Sequence, residues 1–243
     1  MSVFAYDLHM HSCLSPCAED DMTPFSMAGM AKLNGLDMIA LTDHNTCGNV
    51  RTFFQACRKY GVIPIAGMEL TTSEDVHVVC ILPTVEAAEA FEQEVRRHRI
   101  PVKNRPEIFG NQLLIGPEDE VVGTEENLLI NATDLDLSAV ADLAAAYGGA
   151  AYPAHIDRDA NGIIAMLGEM PEEPYFPTVE FRDGTNISAY ELKYGLEDRR
   201  KLISSDAHRL WDMHEGEQKI KLPCSGEDAE ETARALINYI RGV

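Results

Sequence analysis

The sequence is short of positive charge, with 20 Lys and Arg against 40 Asp and Glu and a formal net charge of −20. A field of that sign repels polyanions, which argues against a standing nucleic-acid surface or an anionic-membrane surface. The stretch 106–157 contains no Lys or Arg at all, and we interpret it as a solvated acidic face or a long loop. Any phosphate-bearing partner must therefore be attracted locally, by a few basic side chains or by metal ions.

Long apolar runs are also missing. The chain contains no run of 18 uncharged apolar residues, and its N-terminus has no basic segment followed by an apolar stretch. Neither a membrane-spanning helix nor a signal peptide is predicted, so we expect a cytoplasmic protein without a membrane partner. The six cysteines are scattered, which is typical of reduced thiols or metal ligands rather than of a disulfide framework.

Linkers rich in Pro, Gly or Ser, internal repeats and low-complexity blocks are absent, which predicts one domain over residues 1–243. Within it, short β-rich runs alternate with amphipathic stretches, a rhythm that favours a parallel sheet covered by helices. Thr23 and Pro24 resemble the start of a helix, and Ser225 with Asp228 could form a capping box for the last one. The expected strands are 3–9, 37–42, 62–70, 77–82, 128–132, 150–155, 178–183 and 201–206.

Five of the eight histidines lie with carboxylates at the downstream ends of these strand-like runs. In a parallel barrel the carboxyl ends of the strands open on one face, so distant positions converge there. Two residues apart on extended chain, His9 and His11 point the same way, and Asp206 with His208 repeats that spacing. This pattern predicts a metal centre made of strand-end side chains: His9, His11, Asp43, His44, Glu69, His155, Asp206 and His208.

The segments DLHMHS, LTDHN, GMEL, PAH and SDAH together resemble the polymerase and histidinol phosphatase (PHP) family over residues 7–208. The resemblance implies a distorted seven-stranded β/α barrel of the TIM-like kind. It also implies a cluster of up to three divalent ions, zinc, iron or manganese, that hydrolyses phosphoesters. Ions of this kind lower the pKa of a bound water, which then attacks phosphorus as hydroxide.

The same resemblance implies a ligand set. One metal would be held by His9, His11, Glu69 and Asp206; a second by His44 and His208; and a third by Glu69, His77 and His155. The family's remaining ligand to the second metal, usually His or Asp, falls here on Cys17, whose thiolate would favour zinc or ferrous iron over magnesium. Glu19, Asp20 and Asp21 are the alternatives to Cys17 at this position.

Other charged residues near these motifs receive supporting roles. Arg158, three residues after His155, is expected to contact the substrate phosphate, and Arg209 is a weaker candidate. Asp7 and Asp43 are expected to orient the imidazoles.

The predicted function is a phosphoesterase acting on a small phosphomonoester, such as a nucleoside monophosphate. The alternatives are an exonuclease or phosphodiesterase acting on short nucleic acids, and a non-catalytic binding module stabilised by metal. The sequence indicates no oligomeric state.

Overall fold

The computed structural model describes residues 1–243, which form a mixed α/β fold. The ten strands are β1 (Ser2–Asp7), β2 (Met38–Leu41), β3 (Ile63–Thr71), β4 (His77–Leu82), β5 (Leu113–Ile115), β6 (Val121–Thr124), β7 (Ala150–Pro153), β8 (Thr178–Phe181), β9 (Arg200–Ile203) and β10 (Lys219–Leu222). The eight α-helices are α1 (Pro24–Leu33), α2 (Val50–Tyr60), α3 (Val85–His98), α4 (Pro106–Phe109), α5 (Leu137–Ala146), α6 (Ile163–Leu167), α7 (Ile187–Tyr194) and α8 (Ala229–Ile240). No helix is long and apolar enough to span a bilayer.

The main sheet is a curled, six-stranded half-barrel with strand order β10-β1-β2-β3-β4-β7. Only β1, β2 and β3 are mutually parallel, whereas β4 is antiparallel to both β3 and β7, and β10 is antiparallel to β1. The expectation of a parallel sheet therefore holds for part of the sheet only. A connection of five residues between β3 and β4 is too short for the helical crossover that parallel strands need, so these two strands form a hairpin.

A separate parallel pair, β8–β9, lies between β7 and the end of β1. It joins the main sheet through single contacts, among them a bridge between Met10 and Ala207 and a hydrogen bond from Ile156 N–H to the Glu180 carbonyl. No continuous ladder closes the circle, so the full seven-stranded TIM-like barrel is not what the structure shows.

The central strands are buried on both faces, which explains their uninterrupted apolar sequences. Residues Ile39 and Leu41 of β2 point into a cluster of 40 buried side chains beneath the flanking helices. Their neighbours Met38 and Ala40 point into a second cluster of 20, which α8 covers. Because apolar side chains cover both faces of the central strands, the polar side chains of the site lie at or near the strand ends.

Two local expectations are wrong and one is confirmed. Residues 128–132 form no strand: Leu128 makes an isolated hydrogen bond to Val102 and the chain then turns. The last helix has Asp228 itself as N-cap, accepting from Glu230 N–H at 2.8 Å, and not a Ser225 box. Thr23 caps α1 with Pro24 in its first turn, as the sequence predicts.

The stretch 106–157 is not a long loop, because it contains two helices, α4 and α5, and three strands, β5, β6 and β7. The β5–β6 hairpin and β10 were not predicted at all. These strands are only three or four residues long and too short to show a period.

Candidate metal centre

The strand ends converge as the sequence predicts, although the geometry differs from that of a uniformly parallel barrel. His9 and His11 follow β1, His44 follows β2, and Glu69 lies near the end of β3. His77 begins β4, opposite Thr71 of β3. Because β4 runs antiparallel, its start lies at the same sheet edge as the ends of β1–β3, and this direction brings His77 to the site.

Four buried side chains form what we call the inner cluster: His9, His11, Glu69 and Asp206. The Nε2 atoms of His9 and His11 lie only 3.2 Å apart. Glu69 Oε1 lies 3.1 Å from His9 Nε2, and Glu69 Oε2 lies 3.3 Å from His11 Nε2. Asp206 Oδ1 completes the set at 3.5 Å and 3.2 Å from the same two nitrogens.

Glu69 also faces the histidines expected at the third metal. Its Oε1 lies 2.9 Å from His77 Nδ1 and 3.1 Å from His155 Nε2, and its Oε2 lies 3.0 Å from His44 Nδ1. His44, Glu69 and His77 form one candidate ligand group. His155 is not part of that group but contacts its Glu69. Glu69 thus contacts a histidine from each of the three predicted ligand sets and itself belongs to two of them.

We call Cys17, His44 and His208 the rim group, because Cys17 is solvent-exposed and His208 only half-buried. His44 and His208 combine with His11 as a further candidate ligand group. Although Cys17 is exposed as a residue, neighbouring atoms partly exclude water from its thiol and oppose ionisation. The nearby His44 and His208 imidazoles outweigh this effect and lower the pKa of the thiol to about 6. A thiol that ionises so readily is a competent soft ligand.

The alternatives to Cys17 face other groups. Glu19 Oε1 lies 3.1 Å from the guanidinium of Arg209, and Asp20 Oδ2 accepts a hydrogen bond from Asn111 at 2.8 Å. Asp21 is exposed. Arg209, the weaker substrate candidate, is thereby engaged with Glu19. Cys17 lines the same cavity as His44 and His208, although it belongs to none of the candidate ligand groups.

The buried carboxyl groups are held in the ionised form by the imidazoles around them. Burial alone would raise the pKa of Glu69, but His77, His9 and His44 lower it well below its usual range. His9 and His11 likewise hold the pKa of Asp206 low against the effect of burial. Both carboxylates therefore present charged oxygens to the cluster.

The donor set fits divalent metal ions. Three buried atoms have no hydrogen-bond partner, namely His44 Nδ1, His77 Nδ1 and Glu69 Oε2. His44 Nδ1 nevertheless lies 3.0 Å from Glu69 Oε2, and His77 Nδ1 lies 2.9 Å from Glu69 Oε1. Buried polar atoms normally find partners, and close lone pairs without shared protons are the arrangement that a cation satisfies. Imidazole, carboxylate and thiolate together suit zinc, iron or manganese.

Asp7 and Asp43 support the site differently from the expected direct contact with imidazoles. Asp43 accepts hydrogen bonds from the Ser12 and Ser15 hydroxyls at 2.6 and 2.7 Å, and Ser15 Oγ lies 3.1 Å from His11 Nδ1. Asp7 accepts from the backbone N–H of Ser205 at 3.1 Å and so holds the loop that carries Asp206. Each acts through an intermediate group that sequence spacing does not reveal.

A cavity of about 250 Å³ opens above the cluster, and Arg158 is its one cationic lining residue. Arg158 Nη1 donates to Asp206 Oδ2, whereas Asp206 Oδ1 faces His9 and His11. The guanidinium is partly exposed. Asp206 therefore links Arg158 to the inner cluster.

Glu180 of β8 also lies in this site, although no sequence motif predicted it. Its side chain is buried, and Oε1 lies 2.7 Å from His9 Nδ1. Glu180 occupies the middle of the run TVEFRD rather than its end, and it carries no motif spacing. A buried glutamate inside an apolar strand was the available signal.

Comparison with known proteins agrees with this chemistry. The PHP domain model matches residues 7–156. The fold and the site define a metal-dependent hydrolase class, and the chain belongs to the PHP domain family. No curated protein matches the sequence.

Solved structures share the fold at low sequence identity. The lesion-specific endonuclease EndoQ from Pyrococcus furiosus is 18% identical with a TM-score of 0.65, and the match covers 100% of this chain but 56% of that one. A proposed metal-dependent phosphoesterase from Bifidobacterium adolescentis is 17% identical (TM-score 0.56, covering 96% and 95%). An amidohydrolase from Chromobacterium violaceum is 18% identical (TM-score 0.57, covering 90% and 92%). The chain thus spans little more than half the length of EndoQ.

Proposed function

We propose that the protein is a phosphoesterase that hydrolyses a small phosphomonoester, such as a nucleoside monophosphate, with the help of up to three divalent ions. The observation that carries this proposal is the convergence of six imidazoles with Glu69 and Asp206 beneath a cavity of about 250 Å³. That volume suits a phosphate group with a small substituent. Zinc, iron or manganese bound there would activate water and neutralise charge on the phosphate.

The proposed ligands follow the inner cluster and the rim group. His9, His11, Glu69 and Asp206 would hold the first ion, Cys17, His44 and His208 the second, and Glu69, His77 and His155 the third. Three divalent ions add +6 at one sheet edge, so the entrance to the cavity attracts phosphate although the chain as a whole carries −20. The local field exceeds the distant one because interactions beyond a Debye length, about 10 Å, are screened.

Arg158 is proposed to hold the substrate. Its ion pair with Asp206 Oδ2 fixes the guanidinium at the cavity wall, and a guanidinium has further N–H donors for phosphate oxygens. The substrate phosphate would therefore be oriented by a cation whose position the metal ligand Asp206 itself determines. This coupling aligns the scissile group with the inner cluster.

A nucleic-acid substrate is the second candidate, since the fold likeness to EndoQ extends over 100% of this chain and another EndoQ structure holds a 27-mer duplex with an abasic lesion. The net charge of −20 favours the small phosphomonoester. A metal-stabilised binding module without turnover is the third reading.

One panel of substrates distinguishes the three candidate functions. The purified protein, loaded in turn with Mn²⁺, Zn²⁺ and Fe²⁺, is assayed with nucleoside monophosphates, histidinol phosphate, sugar phosphates, a short single strand and a duplex with an abasic site. Release of inorganic phosphate from a monoester supports the proposal. Cleavage of an oligonucleotide alone supports the nuclease, and bound metal with no turnover supports the module. Glu92→Gln, which alters a buried glutamate outside the cluster, is the control for loss of charge.

A further inference from the structure

Glu180 lies in the gap between the main sheet and the β8–β9 pair, where no continuous ladder exists. Its backbone carbonyl accepts from Ile156 N–H at 2.8 Å, and its Oε1 accepts from His155 N–H at 3.1 Å. The same Oε1 lies 2.7 Å from His9 Nδ1. One oxygen therefore touches two residues that the proposed ligand set assigns to different metals.

The contact with His9 decides which imidazole nitrogen can ligate. A carboxylate only accepts hydrogen bonds, so the nitrogen that faces it must carry the proton. With Nδ1–H donating to Glu180, His9 Nε2 keeps a free lone pair, and that nitrogen is the one directed at Glu69, Asp206 and His11. A negative partner on Nδ1–H also makes Nε2 a stronger donor to a metal.

The contact with His155 acts on the backbone. His155 has φ 27°, a left-handed conformation that is strained for a residue with a side chain. Its N–H is held by Glu180 Oε1, while its Nε2 meets Glu69 Oε1 at 3.1 Å. The strained turn is thus anchored at the point where it delivers an imidazole to the cluster.

A purely structural role would leave one feature unexplained. Glu180 is 1% exposed, and its Oε2 has no hydrogen-bond partner. Burying a charged oxygen unsatisfied is unfavourable, and a neutral side chain would bridge the two strands without that cost. The carboxylate charge is explained if a divalent cation lies beyond His9.

We propose that Glu180 is a positioning residue that fixes His9 in its ligating tautomer and anchors His155, and so couples two metal positions of the site. This inference rests on the proposed metal-dependent function. Glu180→Leu removes the acceptor, whereas Glu180→Gln keeps an acceptor but removes the charge. Thr178→Val is the matched control, because Thr178 is buried on the same strand and its hydroxyl bonds Ile240 O at the far end.

The test measures metal binding directly. Metal-free protein is titrated with Co²⁺, and the visible absorbance gives the number of equivalents and their affinity. We expect Glu180→Leu to weaken Co²⁺ binding by about 10- to 100-fold, the range for lost partners of ligating histidines, and Glu180→Gln to weaken it less. Thr178→Val should bind as the wild type does, with its fold checked by circular dichroism.

A spectroscopic signature distinguishes a role of Glu180 in positioning His9 from a role in stabilising the fold. In the zinc-loaded wild type, ¹⁵N-labelled His9 should show a slowly exchanging Nδ1–H proton far downfield. The resonance should move upfield in Glu180→Gln and disappear in Glu180→Leu. If both variants bind Co²⁺ as Thr178→Val does and keep the resonance in place, the inference is overturned while the proposed function stands. If the wild type binds no Co²⁺, the metal-dependent function fails, and the inference fails with it.

Discussion

The inner cluster and the rim group differ in how firmly the fold holds them. Every inner residue is at most 4% exposed and lies at or just beyond the end of β1, β3 or β9. In the rim group, Cys17 is exposed on the long connection between β1 and α1, and His208 is only half-buried. The hydrogen bonds of the sheet fix the positions of ligands at strand ends. On a loop, several neighbouring side chains can reach the same metal. The following variants test that contrast.

Glu69→Gln should have the largest effect, because Glu69 is the one side chain proposed to serve two metals. Glutamine keeps the shape but loses the charge and one ligating oxygen. We expect metal to be lost at two positions and turnover to fall by more than about 100-fold. That decrease exceeds the one usually seen when a residue that only hydrogen-bonds to a metal ligand is removed. Metal analysis by mass spectrometry, with Glu92→Gln as the control, measures this.

A Glu69→Gln protein with its full metal complement and normal turnover would exclude the three-metal arrangement. Loss of one equivalent or less, with reduced activity, would indicate a two-metal site from which His77 is absent. The first result would remove Glu69 from the ligand set, and the second would restrict the site to the inner cluster and the rim group.

Asp206→Asn should disturb chiefly one metal. The fold should persist, since Asp206 is one of the proposed metal ligands and lies outside both apolar clusters, but turnover should fall by orders of magnitude. Thermal unfolding monitored by circular dichroism and the steady-state rate give the two readouts. Wild-type rates in this variant would contradict the assignment of the inner cluster.

Arg158→Ala should raise KM more than it lowers kcat, because the side chain is proposed to bind ground-state phosphate. Hydrogen bonds to charged groups contribute about 1.5–3 kcal/mol, which predicts an increase of about 10- to 100-fold. Arg182→Ala is the control, since Arg182 is exposed on the adjacent loop, where its backbone N–H bonds Asp157. An equal effect of both variants would indicate general electrostatics rather than a specific contact.

Cys17→Ser should weaken the rim metal alone. A hydroxyl is a poorer and harder ligand than a thiolate, so metal preference should shift away from zinc. Competition between Zn²⁺ and Mn²⁺, followed by metal analysis, shows the change. Unchanged stoichiometry and preference would transfer the ligand role to Glu19 or its neighbours.

The smallest expected effect concerns the chemical reactivity of Cys17, which tests the exposure of the rim group without a mutation. In metal-free protein, iodoacetamide should modify Cys17 first, because the other five cysteines are buried. The pKa of about 6 predicts a rate that rises through that pH and is near its plateau at pH 7, whereas an ordinary thiol, with a pKa near 8.5, reacts slowly there. A midpoint near 8.5 would show that the imidazoles do not stabilise the thiolate.

Sequence spacing predicted which donor side chains converge better than it predicted the fold around them. The spacings of His9 with His11 and of Asp206 with His208 are local, and extended chain turns them into convergent pairs. Strand direction is not local: β4 is antiparallel, so the parallel barrel was wrong in detail, yet that reversal brings His77 to the cluster. The strand expected at 128–132 failed because an apolar run predicts burial, and Leu129 is buried in a turn.

What the sequence determined by itself is the set of donor types, their places at strand ends, and a strongly negative charge balance. Only the tertiary structure decided which donors meet. It placed Cys17 rather than Asp20 in the cavity beside His44, set Arg158 against Asp206, and brought Glu180 from the middle of β8 beneath His9. Residues 9 and 180 are far apart along the chain, and their contact depends on how the β8–β9 pair packs between β7 and the end of β1, which no local pattern encodes.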